Sequence, residues 1–119
     1  MNRLRLSEID HIALGPATPI EGWTGGEVHR TRQPLLPEGA SEHFSSSVVH
    51  FEKGATTGWH THTTDQILVI TSGNGIVANE ETQVHVAVGD IVQILPGENH
   101  WHGATATSNM AHVTITGLR

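Results

Sequence analysis

The stretch Trp59-His60-Thr61-His62 is where chemistry is most visible in this sequence. Side chains at i and i+2 of an extended chain share a face. A β-strand carrying His-x-His therefore points two imidazoles the same way, and neutral imidazole is the commonest ligand for borderline divalent metals. Surface strands also produce His-x-His by chance, so its surroundings decide its weight. A second instance follows at His100-Trp101-His102, and a further histidine, His112, sits in the alternating run from Met110 to Thr116. If His112 faces inward, so do Met110 and Thr114. Two readings of His102 and His112 stay open. They are hydrogen-bonded core residues, or they are non-ligand imidazoles that move protons near neutral pH. Trp59 and Trp101 should face away from the histidines they alternate with. His11, His29, His43 and His85 have no spacing argument and are expected to be solvated or packed.

Such residues need strands to hold them. No stretch shows a 3.6-residue period. Short apolar or alternating runs dominate, among them SSVVHFE, QILVITS, IVANEE, TQVHVAV, IVQIL and MAHVTITG, and turn residues separate them. Seven or eight strands at this spacing imply an all-β sandwich or barrel. Gly73-Asn74-Gly75 reads as a hairpin turn between two of them, and Gly89-Asp90 as another turn. Glu80-Glu81 reads as a solvated turn. Residues 15–42 carry every proline except Pro96. They read as an arm with one or two strands, lying along the barrel, across a partner subunit, or as a plain surface loop. The expected division is therefore residues 1–42 as an N-terminal arm and 43–119 as the barrel.

Composition narrows the function. The chain has 119 residues, no cysteine, and 12 acidic against 6 basic residues, for a formal net charge of −6. The missing cysteines exclude disulfides, thiolate metal sites and cysteine nucleophiles. The few cations make nucleic acid and anionic membrane poor partners. No apolar run approaches the ~20 residues of a spanning helix, and the N-terminus lacks a signal peptide's apolar core. A cytoplasmic protein acting on a small-molecule substrate is expected. Against that acidic background, 10 histidines point to chemistry.

The spacing of Gly54, His60, His62, Gln66 and Gly73, followed by Gly89, Pro96, Gly97 and His100, resembles the two-part signature of the cupin superfamily. The resemblance implies a small antiparallel jelly-roll barrel with one divalent metal ion inside, held by residues of both parts. Three positions depart from the common pattern. Gln66 stands where glutamate is usual, Pro96 lies one place late, and Ala104 replaces an asparagine. With three imidazoles and a carboxamide, the ion would keep its full +2 charge, making it a stronger Lewis acid. Gln66 could instead only hydrogen-bond inside the barrel, leaving three histidine ligands. Asp65 is a poorer substitute ligand, its spacing from His62 being one short.

The chain is most similar to the branch of small cupins that includes bacterial hydroxynitrile lyases and carboxymuconolactone-decarboxylase-like proteins. The shared features are Trp59-His60-Thr61-His62, Gln66, Pro96-Gly97-Glu98, His100-Trp101-His102-Gly103, Met110-Ala111-His112, and Trp23-Thr24-Gly25 in the arm. The resemblance implies metal ligands His60, His62, Gln66 and His100, with His112 as catalytic base and His102 as a second catalytic residue that lines the pocket and stabilises the developing anion. It implies a pocket lined by Ser47, Val49, Thr57, Met110 and Thr116, with His50 pointing away. Manganese is the expected metal, with iron, nickel or zinc as alternatives, and a homodimer is the expected assembly. Three functions follow: a lyase of cyanohydrins, an iron-dependent dioxygenase of a small aromatic or diketone substrate, or a non-enzymatic binding module.

Overall fold

In a computed structural model, described for residues 1–15 and 29–118, eight antiparallel strands build the molecule and almost no helix is present. After a 3-10 turn at Leu6–Glu8 come β1 (Ile12–Ala13), β2 (Arg30–Pro34), β3 (Phe44–Phe51), β4 (Gln66–Asn79), β5 (Gln83–Ala87), β6 (Ile91–Ile94), β7 (His100–Ala104) and β8 (Met110–Gly117). The strands follow the order β1-β2-β3-β8-β4-β5, with β6 and β7 also paired to β4. The motif Trp23-Thr24-Gly25 lies outside the described residues. Among the described residues, no helix is long and apolar enough to cross a membrane.

The expected hairpin at Gly73-Asn74-Gly75 is not formed. β4 runs straight through it for 14 residues, pairing with β8 and β6 in its first half and with β5 and β7 in its second. The glycines serve the bend between the two sheets. The register with β8 slips between Ile70 and Ser72, and Gly73 follows at φ +70°. A Cβ there would lie 1.7 Å from the Asn109 carbonyl oxygen, so the crossing requires glycine. The other turns form where expected. Gly89 adopts φ +93°, Asp90 accepts the Ala87 N–H at 2.8 Å, and Asn79 caps the turn through Glu81 and Thr82.

The apolar core lies in the barrel interior. Phe51, Leu68, Ile70, Val77, Val86, Ile94 and Met110 bury there, and Val49 packs against them. Trp101 sits on the opposite side of its strand from the histidines, in a second cluster with Ala78, Trp59 and Ile76.

Along β8 the usual pattern of the sheet inverts. The inward row of β8 after Met110 is His112, Thr114 and Thr116, while Val113 and Ile115 face out. On β4, inward Gln66 neighbours outward Ile67 and Val69. Cross-strand partners in an antiparallel pair share a face, so the register joins Ile115 to Ile67 and Val113 to Val69 to Ile91 on the outside. Polar side chains are therefore buried inside the sheet, Gln66 and His112 among them. On the outer side of β2 and β3, the N-terminal segment is pinned by Gln33, whose amide donates to the Leu6 and Ile9 carbonyls at 2.9 Å each.

Candidate metal centre

The first histidine pair does not lie in a strand. Residues between β3 and β4 form an irregular segment that docks along β7, touching it through single bridges at Thr56–Gly103 and His60–His100. Backbone bonds fasten it: Thr57 N to His102 O and His60 N to His100 O at 2.9 Å, with His100 N returning to His60 O at 3.0 Å. Gly103 allows this approach, since a Cβ there would stand 2.3 Å from the Ala55 carbonyl oxygen. Both imidazoles still point the same way, because the docking to β7 replaces the pleat.

His60, His62 and His100 converge. Their candidate ligand nitrogens all lie within 4.8 Å of one another. The ring of His60 lies 4.9 Å from that of His62 and 4.2 Å from that of His100, centroid to centroid. Tautomers follow from the partners. His60 Nδ1 lies 2.8 Å from the Gly58 carbonyl and His100 Nδ1 lies 2.9 Å from the Glu98 carbonyl. A carbonyl only accepts, so each Nδ1 carries the proton and each Nε2 offers a lone pair to the common centre. His62 Nε2 is buried there without a hydrogen-bond partner.

Gln66 joins them. Its amide nitrogen donates to Thr114 Oγ1 at 2.8 Å, which turns its oxygen to within 3.2 Å of His100 Nε2. In this orientation two acceptors face each other, an arrangement that a cation relieves. The donor set is three imidazole nitrogens and a carboxamide oxygen, which suits a first-row divalent ion. Asp65 is exposed and is held by Gln93 at 3.1 Å, away from this point.

Behind the triad lie the other two histidines. His102 stacks against His100 at 5.6 Å and meets His60 at 5.4 Å. His112 lies beyond it, with Nε2 3.0 Å from His102 Nδ1, and Phe51 covers both rings. His102 thus stands between the triad and His112. His102 Nε2 and His112 Nδ1 are buried without partners. Burial lowers all of these basicities. It brings His60 to about 4 against the opposing Gly58 carbonyl, with smaller reductions from the neighbouring rings and from Arg30. It brings His112 to about 4, opposed by its own backbone and that of Val113. His100 is lowered and His102 falls well below the usual histidine value, first through burial and then through the neighbouring imidazoles. Near neutral pH these rings are uncharged, so their lone pairs are free for a metal or a proton.

The other sequence candidates fall into three groups. Ser47 and Thr116 lie on the inward rows: Ser47 pairs with Thr114, and Thr116 with Gln66. Ser47 also lines a groove of about 460 Å³ at the edge of the sheet. Val49 and Met110 pack in the core. Thr57 holds backbone, donating to the Gly58 carbonyl at 2.9 Å and accepting from His102 N at 3.1 Å. His50 is on the outer face, 2.6 Å from Gln33 Oε1 and with its ring 4.6 Å from that of His11. Sequence reasoning passed over Arg30, whose charge reaches His60. The alternation Arg30-Thr31-Arg32 was its one available signal.

A barrel of this topology with histidines from two chain segments in its interior is the cupin arrangement, and residues 47–116 match the cupin domain family Cupin_2. The chain belongs to the cupin family. Among curated proteins, it is 45% identical over 102 residues to an (R)-mandelonitrile lyase of Granulicella tundricola, covering 82% of this chain and 72% of that one. Solved structures agree on the fold. A predicted oxalate decarboxylase of Thermotoga maritima superposes with a TM-score of 0.82 at 21% identity, covering 99% of this chain and 100% of that one. The polyketide cyclase RemF of Streptomyces resistomycificus gives 0.82 at 13%, covering 100% and 80%. A cupin-like protein of Thermotoga maritima gives 0.71 at 27%, covering 86% and 80%.

Proposed function

We propose that this cupin is a metal-dependent lyase that cleaves a cyanohydrin to a carbonyl compound and hydrogen cyanide. The observation that carries the reading is the buried His102–His112 pair set directly against the His60, His62 and His100 cluster. Its likeness to a mandelonitrile lyase supports the same reaction class. His60, His62, Gln66 and His100 would hold one divalent ion, manganese before iron, nickel or zinc. Such an ion, when bound, supplies Lewis acidity toward the substrate's oxygen.

The protein's own residues handle the proton. His112 is the base and acts through His102, whose Nδ1 lies 3.0 Å from His112 Nε2 and whose Nε2 is buried without a partner. In the cleavage the substrate O–H and C–CN bonds break and the carbonyl forms. Cyanide leaves with the bonding pair. The hydroxyl proton lodges on the histidine pair and then passes to cyanide. Near pH 7 both rings are neutral, so the pair is ready to accept it. Phe51 keeps water from the far side of the pair. Thr114 orients Gln66, and the Gly58 and Glu98 carbonyls fix the tautomers of His60 and His100.

The test is cyanide release from mandelonitrile by manganese-loaded protein. Wild type is expected to release it and His112→Ala to lose that activity while keeping its metal. Failure across several aromatic and aliphatic cyanohydrins would refute the reaction and leave the metal centre standing.

A further inference from the structure

The inward rows of the sheet carry an unexplained charge. Arg30 and Arg32 stand on the side of β2 that faces into the barrel: Arg30 pairs with Phe51, and Arg32 with Val49, which in turn pairs with His112. At a strand spacing of ~4.8 Å, the Arg32 and His112 backbones are about 10 Å apart, and an arginine side chain spans much of that.

Among the described residues neither guanidinium is in an ion pair, and Glu52 lines the same cavity as Arg30. The one ion pair among the described residues joins Arg5 to Glu8. Arg30 donates through Nη2 to the Gly15 carbonyl at 2.8 Å, and its Nε is buried with no partner. Arg32 is half-buried and makes no side-chain hydrogen bond to the other described residues. Among the described residues, the register places no carboxylate on the inward rows of β2, β3, β8 or β4. Glu98, whose backbone carbonyl holds His100, has its carboxylate tied to Asn79 and to the Leu95 N–H. The groove beside Arg32, about 460 Å³, has Ser45 and Ser47 on its inner wall and exposed Glu38 among its lining residues.

An ion held by neutral donors would add two more positive charges to this interior. Buried or half-buried charge without a counter-charge is costly, and guanidinium forks match carboxylates in geometry as well as sign. We propose that Arg30 and Arg32 form an anion-recognising wall beside the histidine centre and select a substrate bearing a carboxylate in addition to the group that reacts. Arg30 stands on the same face as Arg32, opposite Phe51, whose ring meets those of His102 and His112. Arg32 takes the end of the substrate that extends along the groove over Ser47. This rests on the proposed function only in taking the histidine centre as the place of reaction.

The experiment compares two probes of equal size, 4-(hydroxymethyl)benzoate and 4-(hydroxymethyl)benzamide, binding to zinc-loaded protein by calorimetry. A charge-assisted pair gives the carboxylate a preference of about tenfold or more. That preference should fall at least threefold in Arg30→Gln and in Arg32→Gln and be largely kept in the two lysine variants. Circular dichroism and bound zinc serve as folding controls. Arg32→Gln breaks no hydrogen bond among the described residues and is the safer variant. Equal binding of the probes, binding of neither, or a preference that survives both glutamine substitutions overturns the proposal. Cyanide release from neutral mandelonitrile is read separately, so failure of either idea leaves the other intact.

Discussion

His112 is completely buried, and its ring is pushed from the ordinary 6.5 down to about 4 by that burial. Unfolded protein therefore takes up a proton at this residue below pH 6.5, while folded protein resists until about pH 4. Across that window the unfolded state binds more protons, so stability falls as pH falls and is independent of this group above 6.5. The gap is about 2.5 units, and at ~1.4 kcal/mol per unit the loss is about 3 kcal/mol. Urea unfolding of chelator-treated protein at a series of pH values measures it. His112→Asn keeps a polar partner for His102 Nδ1 but cannot charge. Its stability is lower at pH 7, yet between pH 7 and 4 it should lose about 3 kcal/mol less than wild type. Parallel curves for the two proteins would refute the claim that a buried neutral imidazole stands behind the triad.

Other perturbations probe the supports of the site. Thr114→Val frees the Gln66 amide and should weaken metal affinity by about 10-fold or more, read by competition with a chromophoric chelator. Gly103→Ala drives a Cβ into the Ala55 carbonyl and should lower stability by several kcal/mol, about 3 or more, seen as a fall in melting temperature, because the segment carrying His60 can no longer dock on β7. The outward residues Ile67, Ile91, Leu95 and Ile115 are 39%, 70%, 54% and 37% exposed, an apolar sheet face suited to a second copy of the chain. Sedimentation should give a dimer that Ile67→Lys converts to monomer, and a monomeric wild type would count against this.

Period-two alternation made the strands legible, and His-x-His spacing made the metal centre legible, because both are properties of neighbouring residues. The strand expected at Trp59-His60-Thr61-His62 is absent, yet the imidazoles still align. Close packing on Gly103 does the work that a pleat would have done, and that contact spans more than 40 residues of sequence. Gly73-Asn74-Gly75 carries a turn's residue types but serves a sheet crossing, decided by the Asn109 carbonyl against Gly73. The order of His102 before His112 comes from the pairing of β7 and β8 with β4, and the inward placement of Arg30 from the pairing of β2 with β3. Local spacing holds no record of that pairing. The inverted polarity of β8 was present in its sequence, but which face was inward required the barrel.

The central claim is that His60, His62, His100 and Gln66 share one cation. Titrating metal-free protein with Co²⁺ and following its visible absorption tests it most directly, since the bands report nitrogen ligation. The account predicts a sharp end point at one ion per chain, abolished by replacing His60 and His62 together with alanine. A spectrum that stays that of the aqueous ion, or an end point unmoved by those replacements, contradicts it.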